Sequence, residues 1–196
     1  MSAIIFIRHG QSKANVTNTL SSDIDGYPLT DEGVKQVETL AKTIPEGVKI
    51  DLFYTSPILR TMQTAKILEK KLGMKPIVED RLREWNMGGL NNITFPSQAD
   101  LDAAIVNEVD FGYKNGMEKW DSLQARMRSF AQSTNGITVA VTHQGPLVAL
   151  LGTVDARYAH FSPSIKIGTA TATTIDFGSM KILEVGSAKF PTISRG

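Results

Sequence analysis

Residues 3–12 read AIIFIRHGQS. The first five are small, β-branched or aromatic, with no alternation of polar and apolar positions, which is the pattern of a strand buried on both faces. The run then ends abruptly in Arg8, His9 and Gly10. A second stretch has the same grammar. ITVAVTHQG (137–145) is an apolar strand, then His143, then Gly145 two residues on. In an open α/β sheet, ligands bind beyond the carboxyl ends of the strands, so both histidines are aimed at one edge. The sequence assigns the neighbouring glycines to close backbone approach by a ligand. A single histidine here could simply cap its strand. Two of them, one preceded by Arg, point to a shared site.

Working outward from β-strand to β-strand, the chain alternates. A polar loop (8–29) leads to Thr30, which reads as an N-cap, with Asp31 and Glu32 in the first turn where the helix dipole favours anions. Val34, Val37, Leu40, Ala41 and Ile44 follow at helical spacing until Pro45 and Gly47. A strand is predicted at 51–55, and Ser56-Pro57 reads as an N-cap with proline at the first helical position. That helix runs to Leu72 and Gly73, and a short strand follows at 76–79. Residues 88–117 break the rhythm and read as an insertion over the sheet. A helix over 117–133, the strand 137–141, a short apolar helix ending at Gly152, and a hairpin of strands at 167–177 and 180–185 complete the chain. The expectation is a single domain (1–196) of class α/β. It is a three-layer α/β/α arrangement with a mostly parallel central sheet and a small cap at about 88–117 over its carboxyl edge.

Bulk properties narrow the function. The 196 residues carry 21 Lys and Arg against 20 Asp and Glu, a net charge of +1. That supplies no basic field for nucleic acid. With no Cys, a disulfide framework and thiolate metal sites are excluded. The N-terminal apolar run is shorter than the roughly 7–15 residues of a signal-peptide core, and no stretch approaches the ~20 apolar residues of a membrane span. The expectation is a cytoplasmic protein acting on a small molecule, with no metal or cofactor. The sequence selects no oligomeric state.

The candidate chemistry gathers at the strand ends. Arg60 falls in the first turn of the helix after strand 51–55, where a cation is unfavourable unless an anion lies nearby. Arg8 ends the adjacent strand. Two Arg and two His converging on one crevice describe a site for a small dianion such as phosphate, whose oxygens match the guanidinium fork. An Arg paired with Asp51 or Glu84 would explain one cation but not the convergence. In LREW (82–85), Glu84 is placed to donate a proton, and Trp85 to shield it and raise its pKa.

These stretches, in order, resemble the signature of the histidine phosphatase superfamily, also called the phosphoglycerate-mutase-like family. They are RHGQSKAN (8–15), DGYPLTDEGVKQV (25–37), SPILRTMQTA (56–65), LREWNMG (82–88) and VAVTHQG (139–145). The resemblance implies that His9 is the nucleophile and forms a phosphohistidine. It implies that Arg8, Arg60 and His143 bind the phosphoryl oxygens, with Asn15 and the Gln144 backbone as further donors and Gln11, Ser12 and Trp85 lining the substrate site. Glu84 would protonate the leaving group and then activate water. The sequence departs from the pattern at Gln144, where Gly is common, and at Gly89-Leu90-Asn91-Asn92, which lacks the usual Trp-Glu-Gly run.

The same set serves phosphatases and phosphoglycerate mutases. A mutase must hold a second anionic group, which calls for extra cations over the site. Residues 88–116 contain no Arg and one Lys, Lys114, but several acidic residues with Phe95, Phe111 and Tyr113. The sequence therefore favours a phosphomonoesterase over a mutase, and because His9 and Glu84 are both present it favours an enzyme over a non-catalytic phospho-ligand-binding protein. A serine hydrolase built on Ser12 lacks the G-x-S-x-G elbow.

Overall fold

The computed structural model describes residues 3–192. Six strands form one sheet: β1 (Ala3–Arg8), β2 (Leu52–Thr55), β3 (Ile77–Val78), β4 (Ile137–Thr142), β5 (Ala172–Asp176) and β6 (Lys181–Ser187). They lie in the order β3-β2-β4-β1-β5-β6, with β1 to β4 mutually parallel and β5 and β6 antiparallel. This is the mostly parallel α/β sheet that the alternating sequence pattern predicts.

β1 is central and buried on both faces. Ile5 and Ile7 pack with Val37, Leu40, Ala65 and Leu68 of helices α2 (Asp31–Lys42) and α3 (Leu59–Leu72). Ile4 and Phe6 point the other way, into a core with α5 (Trp120–Gln132) and α6 (Gln144–Gly152). The two-residue side-chain period thus feeds two helical layers from one strand, which is why no polar residue interrupts it. Thr30 caps α2 as expected, its hydroxyl accepting from the Gly33 N–H at 3.0 Å. The insertion contributes α4 (Gln98–Asp110), whose Leu101 and Ile105 turn inward to the same core. A one-turn helix α1 (Lys13–Val16) interrupts the loop after β1.

Three local expectations are corrected. Ser56 is not the cap of α3, which starts at Leu59 with Ile58 at the cap position. The Ser56 hydroxyl instead meets His143 Nε2 at 3.0 Å. The strand predicted over 167–177 begins only at Ala172. Residues 167–171 fold over the end of β1, where the Ala170 N–H donates to the Arg8 and His9 carbonyls at 3.1 and 3.0 Å.

The third correction concerns the glycines. Gly10 makes room for protein rather than for ligand. A Cβ there would strike the Gly33 carbonyl of α2 and lie 2.8 Å from Val37 Cγ2. Likewise a Cβ on Gly145 would sit 2.7 Å from Glu84 Oε1. Because backbone cannot yield as a side-chain tip can, Gly10→Ala is expected to destabilise the fold by about 3 kcal/mol. A urea midpoint unchanged from the parent protein would contradict this packing.

Candidate active site

Each functional side chain is delivered by a strand end or a helix start. β1 ends in Arg8 and is followed by His9, β4 is followed by His143, the first turn of α3 holds Arg60, and Glu84 lies just past the 3-10 turn Asp80–Leu82. Arg8, His9, Arg60 and Glu84 line one cavity of about 380 Å³ beyond the carboxyl edge of the sheet, and His143 is fully buried beside them. The His9 and His143 ring centroids are 5.1 Å apart, and His143 Nδ1 lies 3.8 Å from Glu84 Oε2.

His9 has a defined tautomer. Its Nδ1 lies 2.7 Å from the Gly10 carbonyl, which can only accept, so Nδ1 carries the hydrogen and Nε2 the lone pair. Arg60 Nε donates to that Nε2 at 3.2 Å, and Arg60 Nη2 donates to the Ser21 carbonyl at 2.9 Å. Burial, followed by the charges of Arg60 and then Arg8, pushes the His9 pKa well below its usual 6.5. Burial and the Arg60 charge do the same to His143. Both imidazoles are neutral at physiological pH.

Arg8 donates to the Gln144 side-chain oxygen at 2.7 Å and to the Ile167 carbonyl. Burial lowers its pKa to about 10, which leaves it charged near pH 7. Arg8 Nε, Arg60 Nη1 and His143 Nδ1 are buried without a hydrogen-bond partner within the protein. Buried polar groups are ordinarily paired, so the two unpartnered guanidinium nitrogens at the cavity describe donors suited to an oxygen-rich ligand. Glu84 is tuned in the opposite sense. Burial raises its pKa, against the opposing charge of Arg60 and a 2.9 Å hydrogen bond from the Trp85 N–H.

The remaining predicted residues line the same cavity but spend their polar atoms differently. The Ser12 N–H and hydroxyl both donate to Asn15 Oδ1, at 2.9 and 3.0 Å. Gln11 Oε1 accepts from the Thr30 hydroxyl at 2.8 Å. Gln144 acts through its side chain, which orients Arg8 and reaches the Ile165 carbonyl at 3.4 Å. The Trp85 ring is held by Glu118, Trp120 and Phe161 as a wall of the cavity, and its backbone bond to Glu84 opposes the pKa rise expected of it.

Sequence reasoning missed Ser21, Ser56, Thr64 and Ile167. Ser21 and Ile167 serve through backbone carbonyls, which leave no signature in a side-chain pattern. Thr64, whose hydroxyl accepts from the Gly10 N–H at 3.2 Å, does belong to the SPILRTMQTA stretch and could have been found there. The lining also carries Leu20, Met87, Leu101, Ile105 and Phe161 among polar residues such as Asn18, Thr19 and Gln98. On its rim, Lys166 Nζ donates to both carboxylate oxygens of Asp102, at 2.9 and 2.8 Å.

Comparison with known proteins identifies the family. The profile of the histidine phosphatase superfamily (branch 1) matches residues 4–185. A 2,3-bisphosphoglycerate-dependent phosphoglycerate mutase from Thermoplasma acidophilum is 32% identical over 95% of this chain and 93% of its own length. Among solved structures, a phosphoglycerate mutase from Bacillus anthracis superposes with a TM-score of 0.76 at 17% identity, covering 95% of this chain and 93% of that one. A mycobacterial glucosyl-3-phosphoglycerate phosphatase gives 0.71 at 23% identity, covering 90% and 93%. At such identities the structural likeness speaks for the fold alone. The profile spans both histidine strands and every segment that lines the cavity, and the chain belongs to the histidine phosphatase superfamily, branch 1.

Proposed function

We propose that the protein is a phosphomonoesterase that transfers the phosphoryl group of a small phosphorylated metabolite to His9 and then to water. The observation that carries the reading is the polarity of the cavity. Its lining includes both guanidinium groups and the neutral His9 imidazole, and Arg8 and Arg60 each keep a buried nitrogen without a partner in the protein. The one lysine of the lining, Lys166, is matched by Asp102. One phosphoryl group is provided for, whereas a second anionic group would meet a neutralised rim.

In this mechanism, phosphoryl oxygens take the free N–H groups of Arg8 and Arg60. A phosphate oxygen is a stronger acceptor than imidazole, so binding draws Arg60 Nε off His9 and uncovers the Nε2 lone pair. Nε2 attacks phosphorus, the ester P–O bond breaks, and protonated Glu84 gives its proton to the departing oxygen. Phosphoryl transfer asks mainly for positioning and charge stabilisation, which the two Arg and His143 supply. The Glu84 carboxylate then takes a proton from water, whose oxygen attacks phosphorus. The P–N bond breaks, and inorganic phosphate leaves with His9 neutral again.

The expected result is hydrolysis of phenyl phosphate in the presence of EDTA, with little conversion of 3-phosphoglycerate when 2,3-bisphosphoglycerate is supplied. The identity to the Thermoplasma mutase favours a second reading, phosphoglycerate mutation. Formation of 2-phosphoglycerate faster than release of phosphate would establish that reading instead.

A further inference from the structure

We propose that Arg126, paired with Glu118, is a positioning residue that aims the Glu84 carboxyl at the leaving-group oxygen. The inference rests on the phosphohistidine reading above. Glu84 lies in a stretch with little regular structure. After the 3-10 turn Asp80–Leu82 the chain runs through Arg83–Met87 with no strand or helix. Backbone carbonyls in such a segment must find partners elsewhere. Arg126 of α5 supplies two of them with one guanidinium, donating from Nη1 to the Arg81 carbonyl at 2.7 Å and from Nη2 to the Glu84 carbonyl at 3.1 Å. Between them, the Leu82 carbonyl accepts from the hydroxyl of Thr142, the residue before His143, at 2.8 Å.

The same guanidinium engages Glu118 fork to fork, Nε to Oε1 at 2.8 Å and Nη2 to Oε2 at 3.0 Å. Glu118 then holds the far side of the segment. Its carbonyl accepts from Trp85 Nε1 at 2.6 Å, its N–H donates to the Asn86 carbonyl at 2.9 Å, and its Oε2 accepts from the Asn86 N–H at 3.3 Å. One Arg–Glu pair thus ties residues 81, 84, 85 and 86. An exposed ion pair would be too weak to fix a loop. This one is bidentate, with side chains only 21% and 16% exposed.

A catalytic role, beyond stability, follows from where Glu84 stands. It lines the substrate cavity and also a second groove of about 1030 Å³, bordered by Asp23, Asp80, Arg83, Asn86, Glu118 and Arg126. Without the clamp, the segment has room to relax toward that groove and carry the carboxyl off the leaving group. A misplacement of about 1 Å can cost about 10²-fold in rate.

The test compares kcat/KM on phenyl phosphate, whose phenolate needs a proton to leave, with 4-nitrophenyl phosphate, whose phenolate does not. Arg126→Met is expected to lose about tenfold or more on phenyl phosphate and less than about threefold on the nitrophenyl ester. Glu118→Gln, which keeps its backbone ties to Trp85 and Asn86, is expected to lose in the same sense by less, and serves if Arg126→Met does not fold. Glu84→Gln is the reference for lost proton donation. Equal losses on both esters in the Arg126 and Glu118 variants, with a steep leaving-group dependence in Glu84→Gln, would overturn the positioning role alone. A flat dependence in Glu84→Gln would overturn the proton-donor assignment and the proposal with it.

Discussion

Replacing His9 with alanine is expected to lower kcat/KM for an aryl phosphate by on the order of 10⁴-fold or more, the scale seen when a nucleophile is removed from a covalent mechanism. The choice between two buried neutral histidines rests on their second nitrogens. His9 Nδ1 is fixed by the Gly10 carbonyl, which turns the Nε2 lone pair toward the guanidinium groups. His143 Nε2 is occupied by the Ser56 hydroxyl, and its Nδ1 faces Glu84. His143→Ala should therefore cost less, through lost charge stabilisation and not through loss of the intermediate. Rapid quenching into alkali, where a phosphorus–nitrogen bond survives, should yield a phosphorylated chain from the parent protein and none from His9→Ala. A His9→Ala protein that retained more than about 1% of the parental rate would remove His9 from the nucleophile's role.

The parts of this site that could be read in the sequence are those written in side chains at strand ends. AIIFI and ITVAVT are buried throughout because each strand feeds two helical layers, so the residues that follow them, Arg8-His9 and His143, mark the sheet's carboxyl edge. Arg60 betrayed itself as a cation at the wrong end of a helix. What could not be read was the backbone's share. The carbonyls of Ser21, Ile167 and Gly10 hold Arg60, Arg8 and His9 respectively, and no residue type signals a carbonyl. The glycines were misread for a related reason. A sequence shows that a position needs no Cβ, but only the packing of Gly33 against the Gly10–Gln11 backbone, or of Glu84 against Gly145, shows whose space is being spared. The Asn91-Asn92 departure also has a structural use. Both amides donate to Asp23, each at 2.6 Å, which ties the insertion to the loop whose Ser21 carbonyl receives Arg60.

Replacing Glu84 with glutamine is expected to move activity and stability in opposite directions. The amide cannot give a proton to phenolate, so kcat/KM for phenyl phosphate should fall by about 10²- to 10⁴-fold. Stability should rise at neutral pH. Burial raises the Glu84 pKa above its usual 4.5, so the folded protein holds that proton more tightly than the unfolded chain does. The stabilisation this gives is complete below the unfolded pKa and is progressively lost as pH climbs toward and through the folded one, because burial disfavours the carboxylate. Glutamine carries no such charge, and its side-chain oxygen can still accept from the Trp85 N–H. The difference in melting temperature between the two proteins should shrink below about pH 4.5. His9 and His143, whose pKa values are depressed, lower the stability of both proteins equally as pH falls below 6.5, and so cancel from the comparison. The same titration should be visible in the parent's kinetics. With the acid form of Glu84 as the proposed donor, kcat/KM for phenyl phosphate should decline as pH rises through its raised pKa, and the glutamine variant should lack that limb. A variant no more stable at pH 7, with an unchanged descending limb, would show that the proton comes from another group. Sites of this kind sacrifice stability to keep a carboxyl protonated beside two arginines. Glu84 is where that cost is concentrated: burial must raise its pKa against Arg60, Arg8 and Arg126 together.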